Sequence, residues 1–239
     1  MTTTLNNGRL GNQIIRNIAV SLIAERHNLY VIYFNHLSIK DLGIVLYVGI
    51  KKYNQSIILN DENYMSVYHS DRIQSNLKPN DAFFQTKEII QLIYQYLHRD
   101  TIQSRIIEQN PFRERYQRNQ DVFIHVRLTD VAHFNPGIQY YRHAIQSVKY
   151  ENMYVSTDEP DHTIIQELRE SYPTLQIMHY DEMKTIQYAS TCRHIILSHG
   201  SFSAIIGYLS FFSTVHYPKY DPAKMWYGDM FSLDEWIAH

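Results

Sequence analysis

Residues 121–157 read DVFIHVRLTDVAHFNPGIQYYRHAIQSVKYENMYVST, and they decide the fold class of the chain. The runs 121–127 and 152–157 are short and apolar, and their β-branched and aromatic residues are typical of buried strands. Between them, residues 139–148 carry apolar side chains at the spacing of an amphipathic helix. A strand, a helix and a second strand in this order predict two parallel strands joined by a crossover helix.

The same alternation continues toward the C-terminus, which predicts an α/β fold with a parallel sheet covered by helices on both faces. The further predicted strands are 175–179, 194–198 and 214–217. The further predicted helices are 160–171, 183–191 and 202–212, and residues 233–238 predict one or two more helical turns.

The first half of the chain has a less regular pattern. A helix is predicted after Gly11, because Ile14, Ile18 and Leu22 form one apolar row. Short strands are predicted at 29–34, 56–59 and 82–84, and a second helix at 89–97 that continues toward residue 106. The polar segment 110–120 predicts a linker, which separates an N-terminal domain of residues 1–115 from a C-terminal domain of residues 121–239.

Composition excludes several classes of protein. The net charge of −2 provides no basic field for a nucleic-acid partner, and the single cysteine excludes a disulfide framework or a multi-cysteine zinc site. No basic segment followed by an apolar run opens the chain, and no apolar run reaches the roughly 20 residues of a transmembrane helix. We therefore expect a soluble, cytoplasmic protein.

Polar side chains gather at the predicted carboxyl ends of the strands, where open α/β sheets bind their ligands. His125, Arg127 and Asp130 follow the first strand of the regular half, and Ser156 and Asp158 lie at the end of the next strand. The arginine side chain can hold a phosphate through two N–H groups, although a local ion pair between Arg127 and Asp130 is an equal alternative.

The helix predicted after residue 198 opens with Gly200, Ser201, Phe202 and Ser203. The free N–H groups at such a helix start form an anion site, and an ordinary serine cap with a structural glycine is the alternative. Two anion-binding elements at the same edge of one sheet favour a ligand that carries phosphate.

The first predicted helix follows a loop with two glycines, in a chain that has only 8 glycines among 239 residues. Gly8, Arg9, Gly11 and Asn12 form this loop, and close approach of the backbone to a ligand would explain the glycines. A plain strand-to-helix turn is the alternative. The spacing fits neither the dinucleotide-binding nor the P-loop motif, and the chain has no D-x-D pair or H-E-x-x-H motif for a metal.

Four segments in order along the chain resemble motifs of the α-1,2-fucosyltransferase family, glycosyltransferase family 11. The segments are 8–13 (GRLGNQ), 125–130 (HVRLTD), 156–158 (STD) and 192–203 (CRHIILSHGSFS). Each motif alone is weak, but their order from residue 8 to residue 203 is specific. The wider group of GDP-fucose fucosyltransferases shares parts of these motifs.

The resemblance implies a GT-B-like fold, in which two Rossmann-like domains face a cleft and the N-terminal one is small and irregular. The N-terminal domain would lie on the acceptor side, and the C-terminal domain would bind the sugar donor. The implied reaction is an inverting transfer of L-fucose from GDP-β-L-fucose to a glycan hydroxyl, on a galactoside and in α-1,2 linkage. The family needs no metal and no cofactor beyond this co-substrate.

The resemblance also implies a role for each matching residue. Arg127 would hold the diphosphate, His125 would orient the donor, and Asp158 would face the guanine or the ribose. The catalytic candidates are Arg127, Asn12 and Asp130, with Asp130 as a candidate general base. The implied donor-binding residues are Gly8, Arg9, Gly11, Asn12, His125, Arg127, Ser156, Asp158, Ser201, Phe202 and Ser203.

Two features favour other functions. Leu128 stands where the family usually has a second arginine, and the chain is shorter than typical members. A non-catalytic module that binds a nucleotide sugar or a glycan is therefore one alternative. A transferase for another GDP-sugar is the other.

Overall fold

The computed structural model describes residues 1–4, 8–80, 83–130, 132–225 and 227–239. The protein divides into two compact units, which differ in architecture. The first consists of Met1–Gln109 with Tyr227–Met230, and the second of Asn110–Trp226 with Phe231–His239. No helix in the described part of the chain is long and apolar enough to cross a membrane.

The first unit is small and irregular. Its helices are α1 (Leu10–His27), α2 (His36–Asp41), α3 (Tyr64–His69), α4 (Lys87–Leu97) and α5 (Asp100–Gln109). Its strands are β1 (Thr2–Thr3), β2 (Val31–Ile32), β3 (Ser56–Leu59) and β4 (Asn76–Pro79). The strands pair as two separate parallel ribbons, β1 with β2 and β3 with β4.

Helix α1 is buried on nearly all sides, because loops of the first unit surround it. Three polar side chains on this helix hold those loops by hydrogen bonds. Arg16 donates to the carbonyl of Asn80 at 2.9 Å, and Asn17 donates to the carbonyl of Phe34 at 2.9 Å. Ser21 Oγ accepts from the backbone N–H of Tyr47 at 2.7 Å.

The predicted helix after Gly11 and the predicted strand 56–59 are confirmed, and other elements of this unit differ from the prediction. The strand expected at 29–34 is reduced to Val31–Ile32, and the second helix is divided into α4 and α5. Residue 82 lies outside the described residues, and Phe84 has a φ of +55°, which an extended strand does not allow. Strand β4 was not predicted, because its alternation is weak and it ends in a proline.

The second unit is built on one six-stranded parallel sheet. Its strands are β5 (Val122–Val126), β6 (Met153–Thr157), β7 (Gln176–Ile177), β8 (His194–Ile196), β9 (Thr214–Tyr217) and β10 (Ile237–Ala238). Its helices are α6 (Ile138–Gln146), α7 (Thr163–Ser171), α8 (Glu182–Ala189) and α9 (Ser201–Tyr208). Short 3₁₀ turns lie at Arg113–Arg115 and Ala132–Phe134. The predicted α/β class is confirmed.

The strands lie in the order β10-β9-β8-β5-β6-β7, and all neighbouring pairs are parallel. Counted along the chain of this unit, this is the order 6-5-4-1-2-3, which is the Rossmann order read from the other edge. The direction of winding reverses between β5 and β8. The connections that leave these two strands therefore diverge and open a crevice at their carboxyl ends.

The C-terminal residues form a strand rather than the predicted helical turns. After a turn at Leu233–Trp236, Ile237 and Ala238 pair with His216 and Tyr217 of β9. Without this strand, the outer backbone groups of β9 would lack partners, so sheet pairing outweighs the weak helical pattern.

The segment 110–120 packs against the second unit instead of forming a free linker. Asn110, which is 3% exposed, donates to the carbonyl of Gln187 at 2.8 Å. Arg115 forms an ion pair with Asp121 at 2.6 Å and lies 4.2 Å from the centre of the Tyr188 ring. These contacts fix the chain where it enters β5.

We predict that Arg115→Ala destabilises the second unit by about 3 kcal/mol or more, because Asp121 then keeps a buried charge without its cation. The measurement is urea unfolding at neutral pH. Arg118→Ala is the matched control from the same segment, since its ion pair with Glu114 is exposed and should contribute no measurable stability. Equal effects of the two substitutions would contradict the assignment.

Candidate functional site

His125 of β5 is held from the start of helix α9. Its Nδ1 atom lies 2.5 Å from Oγ of Ser203, and its ring centre lies 5.2 Å from that of Phe202. The imidazole is 5% exposed, and Ser203 is completely buried. This bond joins β5 to α9, which follows β8, so it crosses the point where the winding reverses.

Burial lowers the pKa of His125 to about 4; Asp158 opposes this effect, and Arg127 adds to it. The ring is therefore neutral at pH 7. A neutral imidazole bonded at Nδ1 serves as a fixed hydrogen-bonding group and not as a cation for phosphate.

Arg127, two residues after His125, lies between two carboxylates. One of its terminal nitrogens lies 2.6 Å from Oδ2 of Asp158, and the other contacts Oδ1 of Asp130. The side chain of Arg127 is 18% exposed, whereas that of Asp130 is 54% exposed. Asp130 is thus the partner that an incoming ligand can replace at lower cost.

Asp158 holds the loop that carries these groups. Its carboxylate accepts from the N–H of Leu128 at 2.8 Å and from the hydroxyl of Thr129 at 2.6 Å. Burial alone would raise the pKa of Asp158, but these two donors and the charge of Arg127 together lower it. The carboxylate is therefore ionised at neutral pH and its oxygens are already engaged.

The start of α9 offers backbone donors beside His125. Gly200 precedes the helix with a φ of +101°, and as a glycine it has no side chain that could cap the first turn. A Cβ atom on Gly200 would have no neighbour within 4 Å, so the space above this residue is open. Ser201 and Phe202 are partly exposed there, while Ser203 points inward to His125.

Sequence reasoning missed three side chains that support the segments that follow β5 and β8. Asn135 donates to the carbonyl of Arg127 at 2.9 Å and to the hydroxyl of Tyr141 at 3.0 Å. Tyr140 donates to the carbonyl of Leu197, just after β8, at 2.7 Å. The adjacent tyrosines in a helix with a buried face were the available signal, because a buried tyrosine hydroxyl needs a partner.

The candidate residues of the first unit form a separate local arrangement. Gly8 has a φ of +80°, and a Cβ atom there would lie 2.5 Å from Nδ2 of Asn12. Asn12 Oδ1 accepts from Gln85 at 2.8 Å. Arg9 is exposed at the cap of α1, and Gly11 is buried within that helix with helical geometry.

The structure thus gathers the expected residues of the second unit in two adjoining groups. His125, Phe202 and Ser203 form one group, and Arg127, Asp130 and Asp158 form the other. Ser156 is the register partner of His125 on β6 and is partly exposed. In the described residues, no group of three or more histidine, cysteine, aspartate or glutamate side chains is placed to hold a metal ion.

Leu128 is completely buried in the hydrophobic core around β5, β6, α6 and α7. A side chain at this position does not face the carboxyl edge of the sheet. Leu128 therefore anchors the loop to the core and contributes no charge to the polar groups at this edge.

Comparisons with known proteins assign neither a family nor an activity to the chain. No family profile matches the sequence, and no curated protein matches it as a relative. Among solved structures, E. coli heptosyltransferase WaaC with ADP is similar, with 10% identity and a TM-score of 0.45. The match covers 99% of this chain and 92% of that chain. A similarity this low does not assign an activity.

We predict that the free energy of unfolding falls as the pH is lowered from 6.5 toward 4. The folded-state pKa of His125 is about 4 and the unfolded value is about 6.5, so the unfolded chain binds more protons in this window. A fully shifted histidine contributes a slope of about 1.4 kcal/mol per pH unit there. The folded-state pKa values of His199 and His216 are also about 4, so both add to the slope.

The contribution of His125 is isolated with His125→Gln. Urea unfolding of both proteins at several pH values should give a shallower slope for the variant between pH 6.5 and 4.5. At pH 7.5 neutral His125 contributes no slope. The difference between the two free energies of unfolding at this pH is therefore the loss of stability that the substitution itself causes. Parallel curves for the two proteins would show that His125 does not become buried in its neutral form.

Proposed function

We propose that the second unit binds the nucleoside diphosphate of a sugar donor, and that the protein is a glycosyltransferase. The observation that carries this proposal is the reversal of winding between β5 and β8, flanked by Arg127 on one side and the start of α9 on the other. Ligands of open α/β sheets bind at such a reversal. Backbone N–H groups at the helix start and a nearby guanidinium suit a diphosphate.

The donor that we propose is GDP-β-L-fucose, and the acceptor is a hydroxyl of a glycan, with a galactoside and α-1,2 linkage as the first choice. The support is the ordered resemblance of four segments to fucosyltransferase motifs. Three of these segments supply residues of the two side-chain groups in the second unit. The transfer would invert the anomeric configuration and would need no metal.

In this reaction, negative charge develops on the departing diphosphate. Donors that are already oriented before the reaction stabilise such charge most effectively. Arg127 and the free N–H groups of the first turn of α9 are the proposed donors. His125 and Ser203 would keep that helix start in register with β5, and Asp158 would position Arg127 instead of contacting the guanine or the ribose.

The charges around Arg127 oppose the binding of a diphosphate. One guanidinium between two carboxylates gives this group a net charge of −1, which disfavours a diphosphate. Binding therefore requires that a phosphate oxygen replaces the exposed carboxylate of Asp130. After this exchange, the carboxylate of Asp130 would accept the proton of the acceptor hydroxyl as a general base.

The proposed roles of the residues in the first unit rest on fewer contacts than those of the second unit. Gly8, Arg9, Gly11 and Asn12 remain proposed donor contacts, with Asn12 as a catalytic candidate. The bond between Asn12 and Gln85 and the tight approach of Gly8 to Asn12 also fit a purely structural role within this unit.

A non-catalytic nucleotide-sugar or glycan-binding module is the second candidate function. The observation in its favour is the neutralisation of Arg127 by two carboxylates, together with the buried Leu128 in place of a second arginine. A transferase that uses another GDP-sugar is a variant of the first proposal.

The test of the proposed function is incubation of the full chain with GDP-fucose and a panel of galactosides, with and without EDTA. We expect release of GDP only when an acceptor is present, with no loss of rate in EDTA. Binding of GDP without any turnover on the panel, with other GDP-sugars as donors as well, would favour the non-catalytic module. Failure to bind GDP at all would contradict the transferase and the nucleotide-sugar module, and would leave only a glycan-binding module.

Asp130→Asn serves as the informative variant in this experiment, since it removes the competing charge at an exposed position. If the carboxylate competes with the diphosphate, GDP affinity should increase by several-fold. If it is also the general base, turnover should fall by about 10²-fold or more, although binding improves. Unchanged affinity and unchanged turnover would remove Asp130 from the site.

A further inference from the structure

The first unit contains a cavity of about 390 Å³, which the sequence did not predict. It lies between β2, α2 and the segment 44–48. Most of its lining is aliphatic, with Ile32, Val45, Leu46 and Val48 among its wall residues. A cavity of this size is within the range of small-molecule sites in proteins, roughly 300–1,000 Å³.

The walls of this cavity are fixed by hydrogen bonds of their backbone. The hydroxyl of Tyr96 donates to the carbonyl of Val45 at 2.7 Å, and the N–H of Gly49 donates to the carbonyl of Leu29 at 2.9 Å. Tyr47 is held twice: its carbonyl accepts from the hydroxyl of Tyr33 at 2.5 Å, and its N–H donates to Ser21.

These bonds keep apolar side chains in water. Val45 is 46% exposed, Val48 is 56% exposed, and Ile32 is 40% exposed. Val45 and Val48 belong to the segment that these bonds anchor, and Ile32 belongs to β2. Exposed apolar groups that converge on a preformed cavity are typical of a binding site for an apolar ligand.

The polar residues of the lining are Tyr30, Tyr33, His36 and Lys40, and of these Lys40 carries a positive charge at neutral pH. Lys40, in the last turn of α2, contributes an ammonium group, and His36 contributes an imidazole. Lys52 lies 3.8 Å from the ring centre of Tyr30, another lining residue. None of the lining residues that the structure describes carries a carboxylate. An apolar interior with a cation at its rim suits a ligand with an apolar body and an anionic head.

We propose that this cavity is a binding site for a small anionic amphiphile, whose apolar chain or ring fills the cavity and whose carboxylate or phosphate pairs with Lys40. The site is distinct from the nucleotide site and does not depend on the activity proposed for it. A free carboxylate and a phosphate monoester present the same chemistry to Lys40, so the experiment compares both.

The experiment is isothermal titration of the intact protein with decanoate and decyl phosphate below their critical micelle concentrations, and with decanol below its solubility limit. We expect saturable binding of one molecule per chain for at least one of the two anions, and at least tenfold weaker binding of decanol. The tighter of the two anions identifies the head group. No saturable binding, or equal affinity for decanol, would overturn the proposal.

Variants locate the binding event. Lys40→Gln should weaken the better anion about tenfold and leave decanol unaffected, while Val48→Asp should weaken every ligand by placing a charge in the apolar wall. Lys78→Gln, at an exposed lysine of β4 in the same unit, is the matched control and should leave all affinities unchanged. Thermal unfolding confirms that each variant is folded. Equal losses from Lys40→Gln and Lys78→Gln would overturn the assignment.

Discussion

The second unit depends on the pairing of strand β5 with neighbours on both sides. Every residue from Val122 to Val126 is buried, and the strand is hydrogen-bonded to β6 on one edge and to β8 on the other. The chain leaves β5 toward one side of the sheet and returns much later as β8. The connections that follow β5 and β8 therefore do not cover the carboxyl end of β5. Polar side chains occupy that end.

The polar groups at this end are arranged so that each one restrains another. The bond between His125 and Ser203 joins the strand to a helix 78 residues later in the chain. Asp158 fixes both the loop backbone and the guanidinium of Arg127. A satisfied polar network of this kind is rigid, and the proposed stabilisation of a leaving diphosphate depends on donors that are held in place. Of the two carboxylates, Asp130 is the more exposed, whereas Asp158 also holds the loop backbone.

The local elements of the second unit could be predicted from the sequence, because apolar periodicity and turn residues report directly on strands and helices. The order of the strands in the sheet could not be predicted, since periodicity does not determine which strands pair. The contact between Arg127 and Asp158 illustrates the difference. It arises because Val126 pairs with Thr157, which places the next residue of each strand side by side. The local pair with Asp130 was foreseeable from its spacing of three residues.

The first unit was less predictable, because its backbone is held by side chains more than by regular pairing. Strand β4 and the cavity beside α2 both depend on such contacts. The cavity exists because Ser21, Tyr33 and Tyr96 fix a segment without secondary structure. No periodic pattern marks such a segment, since Ile44 is buried while Val45 and Val48 are exposed.

Two glycines allow a direct measurement of the proposed binding of a nucleoside diphosphate at the start of α9. Gly200 and Gly137 both precede helices at nearly the same backbone angles, with φ of +101° and +85° and ψ of 161° and 165°. A Cβ atom at either position meets nothing within 4 Å, so alanine should cost both sites a similar strain of about 1–3 kcal/mol. Calorimetric titration with GDP should show a loss of affinity for Gly200→Ala and little change for Gly137→Ala, at similar melting temperatures. Equal losses, or unchanged affinity in Gly200→Ala, would contradict the account.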